Sequence, residues 1–155
     1  ATMKILVSAC LLGENCKYSG GNNYNQAVCD FARGHQVVPV CPEVLGGLPT
    51  PRCPAEIVQG VVTNKEGINV DREFRAGAAK ALAIAKENGV ELAILQSRSP
   101  SCGVKEIYDG TFSGTKIPGQ GVFAKMLMDE GVRVLDAREL PKIILKNEDG
   151  KCQSD

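Results

Sequence analysis

Three cysteines stand where an apolar run stops and a turn begins. Cys10 follows Ile5-Leu6-Val7-Ser8-Ala9 and precedes a turn at Gly13. Cys41 follows Gln36 to Val40 and opens Cys41-Pro42-Glu43, and Cys102 follows Leu92 to Leu95 through Ser97-Arg98-Ser99-Pro100-Ser101. Short continuous Ile/Leu/Val runs read as strands buried on both faces of a parallel sheet. In an open α/β sheet, ligands bind at the carboxyl ends of the strands. The spacing therefore predicts that three thiols far apart in sequence meet at one sheet edge. Thiolates prefer soft metals, chiefly zinc, copper(I) and iron–sulfur clusters. Three of them on a four-iron cube leave one iron open, and three on zinc leave a position for water. No C-x-x-C pair is present, so zinc-ribbon and ferredoxin spacings are absent. Cys16, close behind Cys10, has three readings: a fourth ligand, a resolving thiol or simple packing.

Other groups could serve such a centre. Glu43 lies two residues after Cys41 in a turn fixed by proline. A carboxylate there either moves protons beside a metal pocket or caps the turn. Ser99 and Ser101 flank Pro100 and either cap a turn or donate hydrogen bonds to a substrate. Arg52 either clamps a carboxylate or stands on the surface. His35, the only histidine, sits between a helix stop and a strand, which places it in solvent. Without a second histidine, histidine-based zinc catalysis and a Cys-His nucleophile are weak readings. Cys29 reads as packing on a helix, Cys53 is ambiguous, and Cys152 falls in a polar tail. The glycines around Phe112 and before Val122 lead into a helix whose first amides could meet an anion. They match neither the dinucleotide nor the Walker fingerprint.

The elements that must position these groups alternate. Strands are predicted at Lys4 to Cys10, Gln36 to Val40, Glu91 to Leu95 and Val132 to Leu135. Helices are predicted from about Asn23 to Arg33, from Asp71 as N-cap to near Gly89, and from Val122 to Glu130. Cys41 to about Ala55 reads as irregular, as does Ser97 to Gly121. Val61 to Thr63 and Ile68 to Val70 flank a turn and suggest a hairpin. The order gives an α/β fold: one domain spanning 1–155, with its core at about 4–140 and a polar tail at 146–155. It is a Rossmann-like three-layer arrangement with a mostly parallel, roughly four-stranded sheet and a small β-hairpin excursion.

Composition narrows the partners. The chain has 155 residues, 18 basic and 18 acidic side chains, and 5% aromatics. Neither a nucleic-acid polymer nor a membrane is favoured as partner. No apolar run is long enough to span a bilayer, and the run after Lys4 is too short for a secretory leader. Seven cysteines, an odd number, fit a reducing cytoplasm better than a disulfide framework.

These motifs, taken together, carry a family resemblance. Ser8-Ala9-Cys10-Leu11-Leu12-Gly13 comes first, with Cys16 and Tyr18. Cys41-Pro42-Glu43, Gly46-Gly47-Leu48-Pro49 and Pro51-Arg52 follow, and then Ser99-Pro100-Ser101-Cys102-Gly103 and Tyr108-Asp109-Gly110. In this order they resemble a bacterial family, formerly of unknown function, that includes thiouracil desulfidase, an iron–sulfur enzyme. The resemblance runs from Lys4 to about Leu140. It implies a [4Fe–4S] cluster held by Cys10, Cys41 and Cys102, with Glu43 and either Ser99 or Ser101 as catalytic groups. It also implies a small thiolated pyrimidine such as 2-thiouracil as substrate, with uracil and sulfide as products; a homodimer is one assembly the reading allows. Gln96 stands where the family pattern has lysine, and Cys53 where it has proline. The rival expectation is a non-enzymatic metal-binding protein, or a thiol-redox or persulfide-handling protein using Cys10 and Cys16.

Overall fold

The computed structural model describes residues 2–140. In chain order the strands are β1 (Lys4–Ser8), β2 (Gln36–Val40), β3 (Ala55–Val58), β4 (Val61–Asn64), β5 (Leu92–Leu95), β6 (Glu106–Tyr108), β7 (Lys116–Pro118) and β8 (Arg133–Asp136). The α-helices are α1 (Gln26–Ala32), α2 (Pro42–Leu45), α3 (Asp71–Asn88) and α4 (Val122–Asp129). The four apolar runs form one parallel sheet in the order β2-β1-β5-β8. β1 lies inside this sheet, and the chain leaves it toward β2 on one side and later returns to β5 on the other. Such a reversal opens a crevice at the carboxyl ends of the strands.

Alternation along the strands builds two cores. Ile5, Val7 and Ile94 pack with Val28 and Ala32 of α1 on one face. Leu6, Ala93 and Leu95 pack with Phe74, Ala78 and Ala81 of α3 and with Phe123 and Leu127 of α4 on the other. The sheet therefore lies between helix layers, and burying each of its large side chains contributes about 1.5–3 kcal/mol. Pro39 is accommodated because β2 is an edge strand, where a missing N–H breaks no ladder.

Several sequence expectations shift. The first strand stops at Ser8, and Cys10 lies in a 3-10 turn at Ala9–Leu12. Gly13 closes that turn at φ 99°, a left-handed conformation that suits glycine. Helix α1 starts later than predicted, because Asn25 caps it by accepting from the Val28 N–H at 3.1 Å. The stretch after Cys41 contains α2, with Cys41 at its N-cap and Pro42 just inside. The hairpin is one strand earlier than predicted. β3 pairs with β4 across Gln59 and Gly60, both at positive φ, and Ile68 to Val70 contributes only a bridge at Asn69. A turn with two left-handed residues matches strand twist, which decides the pairing. Asp71 does not cap α3: Val70 holds that position, and the Asp71 carboxylate accepts instead from the Val62 N–H at 3.0 Å. The long segment after Ser97 contains the antiparallel pair β6–β7. His35 is half-buried, and its Nδ1 accepts from the Met3 N–H at 3.0 Å, tying the start of β1. Among the described residues, no helix is long and apolar enough to cross a membrane. The expected tail and Cys152 lie outside the described residues.

Candidate active site

Each of the three strand ends delivers its cysteine to one cavity of about 860 Å³. Cys10 arrives on the 3-10 turn after β1, Cys41 on the N-cap of α2 after β2, and Cys102 on the loop after β5. Cys16, from the loop past Gly13, lines the same cavity. Cys29 and Cys53 do not line it, and the Cys29 thiol faces the Leu11 carbonyl at 3.8 Å.

The sulfurs are close enough to act on one another. Burial raises the Cys10 thiol, with the Asn23 hydrogen bond opposing and the charge of Cys41 adding to the rise. Burial pushes Cys102 from 9.0 up to about 12, against the hydrogen bond from Ser8. Burial likewise raises Cys16 to about 12, reinforced by the charges of Cys41 and Cys10. Ionising them together calls for a positive centre between them.

Donors already point at two of the sulfurs. Asn23 Nδ2 donates to Cys10 Sγ at 3.4 Å, and Ser8 Oγ donates to Cys102 Sγ at 3.3 Å. The Cys41 thiol donates to the Cys16 carbonyl at 3.8 Å. Among the described residues, no three His, Cys, Asp or Glu side chains group as tightly as one metal ion requires. Each thiolate of an iron–sulfur cube meets a different iron, so such ligands ring a space rather than converge on a point. Cysteines from three loops around one cavity fit that demand, and their soft donor set suits it.

Beside the thiols stands a polar relay. Ser101 Oγ donates to Glu43 Oε2 at 2.9 Å. Ser99 Oγ lies 2.9 Å from Ser101 Oγ and accepts from the N–H groups of Ser101 at 3.1 Å and Cys102 at 3.0 Å. A hydroxyl has a single proton. Because the Ser101 proton is on Glu43, the Ser99 proton must be the one shared between the serines. The chain of donation therefore runs Ser99, Ser101, Glu43. Arg52 Nε donates to Glu43 Oε1 at 2.9 Å, the two side chains being 7% and 14% exposed. Its remaining bonds reach the Cys16 carbonyl at 2.8 Å, the Pro49 carbonyl at 3.2 Å and Thr50 Oγ1 at 3.0 Å. Arg52 thus clamps a carboxylate of its own chain, and in doing so ties the Cys16 loop to α2.

Local packing holds these groups in place. Helix α2 lies against α3 at Gly46 and Gly77: a Cβ on Gly77 would come within 1.8 Å of the Pro42 carbonyl oxygen. The first amides of α4 are taken by protein. Val122 N–H donates to Pro100 O at 2.9 Å and Phe123 N–H to Ser101 O at 2.8 Å, so they fix the Ser101–Cys102 loop rather than meeting an anion. Gln96 lines the cavity, and its backbone N–H donates to Ser8 Oγ at 3.0 Å.

Sequence reasoning singled out neither Asn23 nor Ser8 as a functional group. Ser8 carried a signal, a hydroxyl inside an otherwise apolar buried run. Asn23 carried none, since its approach to Cys10 depends on the path of an irregular loop.

Comparison with known proteins points to one family. Residues 5–139 match the family model described as 2-thiouracil desulfurase. The uncharacterized protein YbbK of Bacillus subtilis (strain 168) is 42% identical over 150 residues, covering 90% of this chain and 99% of the relative. The solved structure of the [4Fe-4S]-dependent thiouracil desulfidase TudS superposes with a TM-score of 0.84 at 39% identity, covering 95% of this chain and 99% of that one.

Proposed function

This chain belongs to the 2-thiouracil desulfurase family, and from that premise we propose that it is a [4Fe–4S]-dependent enzyme that converts a thiolated pyrimidine such as 2-thiouracil to the oxo base and sulfide. The observation that carries the reading is the delivery of Cys10, Cys41 and Cys102 by three adjacent strand ends to the cavity that Glu43 and Ser101 share. These three cysteines would hold the cluster. When bound, the cluster supplies an iron with an open position, a Lewis acid for a thiocarbonyl sulfur.

The chain's own residues supply the rest. Water adds its oxygen to the thiocarbonyl carbon, the C=S bond becomes C=O, and sulfur leaves with the two protons of water, so no electron acceptor is needed. Glu43 is placed to take the water proton as general base and to return it to departing sulfur. Arg52 fixes Glu43 Oε1 and leaves Oε2 with Ser101 as the face toward the cavity. Ser101, rather than Ser99, is the serine that acts, because Ser99 Oγ is occupied by two backbone amides. Ser101 Oγ can pass its proton from Glu43 to a developing negative charge on substrate, with Ser99 backing it.

The test is anaerobic reconstitution with iron and sulfide, followed by counts of both and an assay on 2-thiouracil. The expected result is four irons per chain, with uracil and sulfide released in equal amounts. A fully loaded protein that releases sulfide from no thiolated base overturns the activity. Stoichiometric zinc without labile sulfide in anaerobically purified protein overturns the cluster.

A further inference from the structure

Ser8 ends β1 in a position only 2% exposed, the one polar residue in a run that is otherwise apolar and buried. Its neighbours leave its proton one destination. The Gln96 N–H donates into Ser8 Oγ at 3.0 Å, occupying a lone pair. The hydroxyl's own proton then faces Cys102 Sγ at 3.3 Å. The other hydroxyl near that sulfur, Ser101, is 3.7 Å away and has its proton on Glu43. Ser8 is therefore the donor to Cys102, and it is oriented by backbone that joins β1 to the end of β5.

We propose that Ser8 is a positioning residue for the metal centre: its hydroxyl donates to the ligating sulfur of Cys102 and weakens that thiolate as a donor to iron. The proposal rests on the reading that Cys102 is a cluster ligand. Hydrogen bonds to thiolate sulfur withdraw electron density, raise the reduction potential of a cluster and leave its iron more electron-poor. An electron-poor iron polarises a thiocarbonyl more strongly, so the hydroxyl serves the reaction through the cluster without touching substrate. Asn23 treats Cys10 in the same sense at 3.4 Å, from an irregular loop. Among the described residues, no hydroxyl or amide side chain donates to Cys41, whose thiol is itself a donor to the Cys16 carbonyl. The surroundings of the centre are thus asymmetric: the ligands following β1 and β5 are muted and the ligand following β2 is not.

The experiment compares anaerobically loaded wild type, Ser8→Ala, Ser8→Thr and Asn23→Ala. Three quantities are read: iron and sulfide content, the midpoint potential, and the Fe–S(Cys) stretching frequencies by resonance Raman. Ser8→Ala is expected to keep its cluster, to shift the potential more negative and to raise an Fe–S(Cys) frequency. Its kcat should fall while KM changes little. Ser8→Thr, which restores the hydroxyl, should return potential and frequency toward wild type. If Ser8→Ala does not load, the reading comes from Asn23→Ala transferred to D2O, where a shift of the Fe–S(Cys) modes is expected from the remaining hydroxyl. A fully loaded Ser8→Ala with unchanged potential and frequencies overturns the proposal. So does the absence of a deuterium shift in loaded Asn23→Ala. A wild type that binds no cluster overturns instead the assignment of Cys102 on which the proposal stands.

Discussion

In the proposed reaction Glu43 and its partners handle the protons, and the two serines beside it have unequal shares. Ser101→Ala removes the hydroxyl that bonds Glu43 Oε2. It should lower kcat of the cluster-loaded enzyme by about 10²-fold, the usual scale for a positioned proton-transfer group. Ser99→Ala removes the acceptor of two turn amides. It should cost about 1 kcal/mol of stability and lower kcat less. Initial rates normalised to iron content check the pair, and equal losses would contradict the relay. The thiols have their own signature in cluster-free protein. The Cys102 thiol is raised from 9.0 to about 12 by burial. Below pH 9 it is protonated whether folded or not. Above that, the unfolded chain loses the proton first, so stability falls as pH rises toward 12, by up to about 1.4 kcal/mol per pH unit for one such thiol. Urea midpoints of reduced, cluster-free wild type and Cys102→Ala at pH 7 and 10 should show a smaller alkaline loss in the variant. At this scale the cysteines were legible because each ends an apolar run. The proposed choice of Ser101 over Ser99 was not, because it depends on where two backbone amides point.

The elements decide whether those residues meet. Helix α2 is a single turn, too short to hold its own position, and it carries both Cys41 at its N-cap and Glu43 in its first turn. Its seat is the close approach to α3 at Gly46 and Gly77, where a Cβ on Gly77 would fall 1.8 Å from the Pro42 carbonyl oxygen. Alanine in a helix interior ordinarily gains about 1 kcal/mol over glycine. Here a backbone clash opposes it, and overpacking costs about 1–3 kcal/mol or more. Gly77→Ala should therefore destabilise the protein. It should also lower cluster occupancy, since the displaced helix carries Cys41, one of the three proposed ligands. Chemical denaturation and iron counts check both effects. The sequence revealed α3 but not its close contact with α2, which depends on Gly46 and Gly77 meeting across the fold. It revealed the hairpin near the Val61 strand but not its pairing, because Gln59-Gly60 is a weaker turn signal than Asn64-Lys65-Glu66-Gly67 and nonetheless supplies the two left-handed residues. Element order, by contrast, was readable from apolar runs and glycine stops, since neither depends on distant contacts.

Across the whole molecule, the site exists only when three strands are in register. Cys10, Cys41 and Cys102 follow β1, β2 and β5, neighbours in the sheet but separated along the chain by crossovers that include α1 and α3. A centre held by all three binds the folded sheet and not the unfolded chain, so its binding energy adds directly to folding. The loaded enzyme should melt at a higher temperature than the same protein stripped anaerobically by a chelator and kept reduced. Serine at any one of Cys10, Cys41 or Cys102 should reduce that difference along with iron content. Serine at Cys29 or Cys53, which do not line the cavity, should leave both unchanged. Cys16 separates two explanations of the thiols, because it lines the cavity without following a strand. If the three strand-end cysteines act as ligands, Cys16→Ser keeps the loaded-minus-stripped difference. If the thiols instead work as a redox pair, Cys10→Ser and Cys16→Ser fail together while Cys41→Ser survives. Differential scanning calorimetry of loaded and stripped samples, with iron counted on each, distinguishes the two patterns.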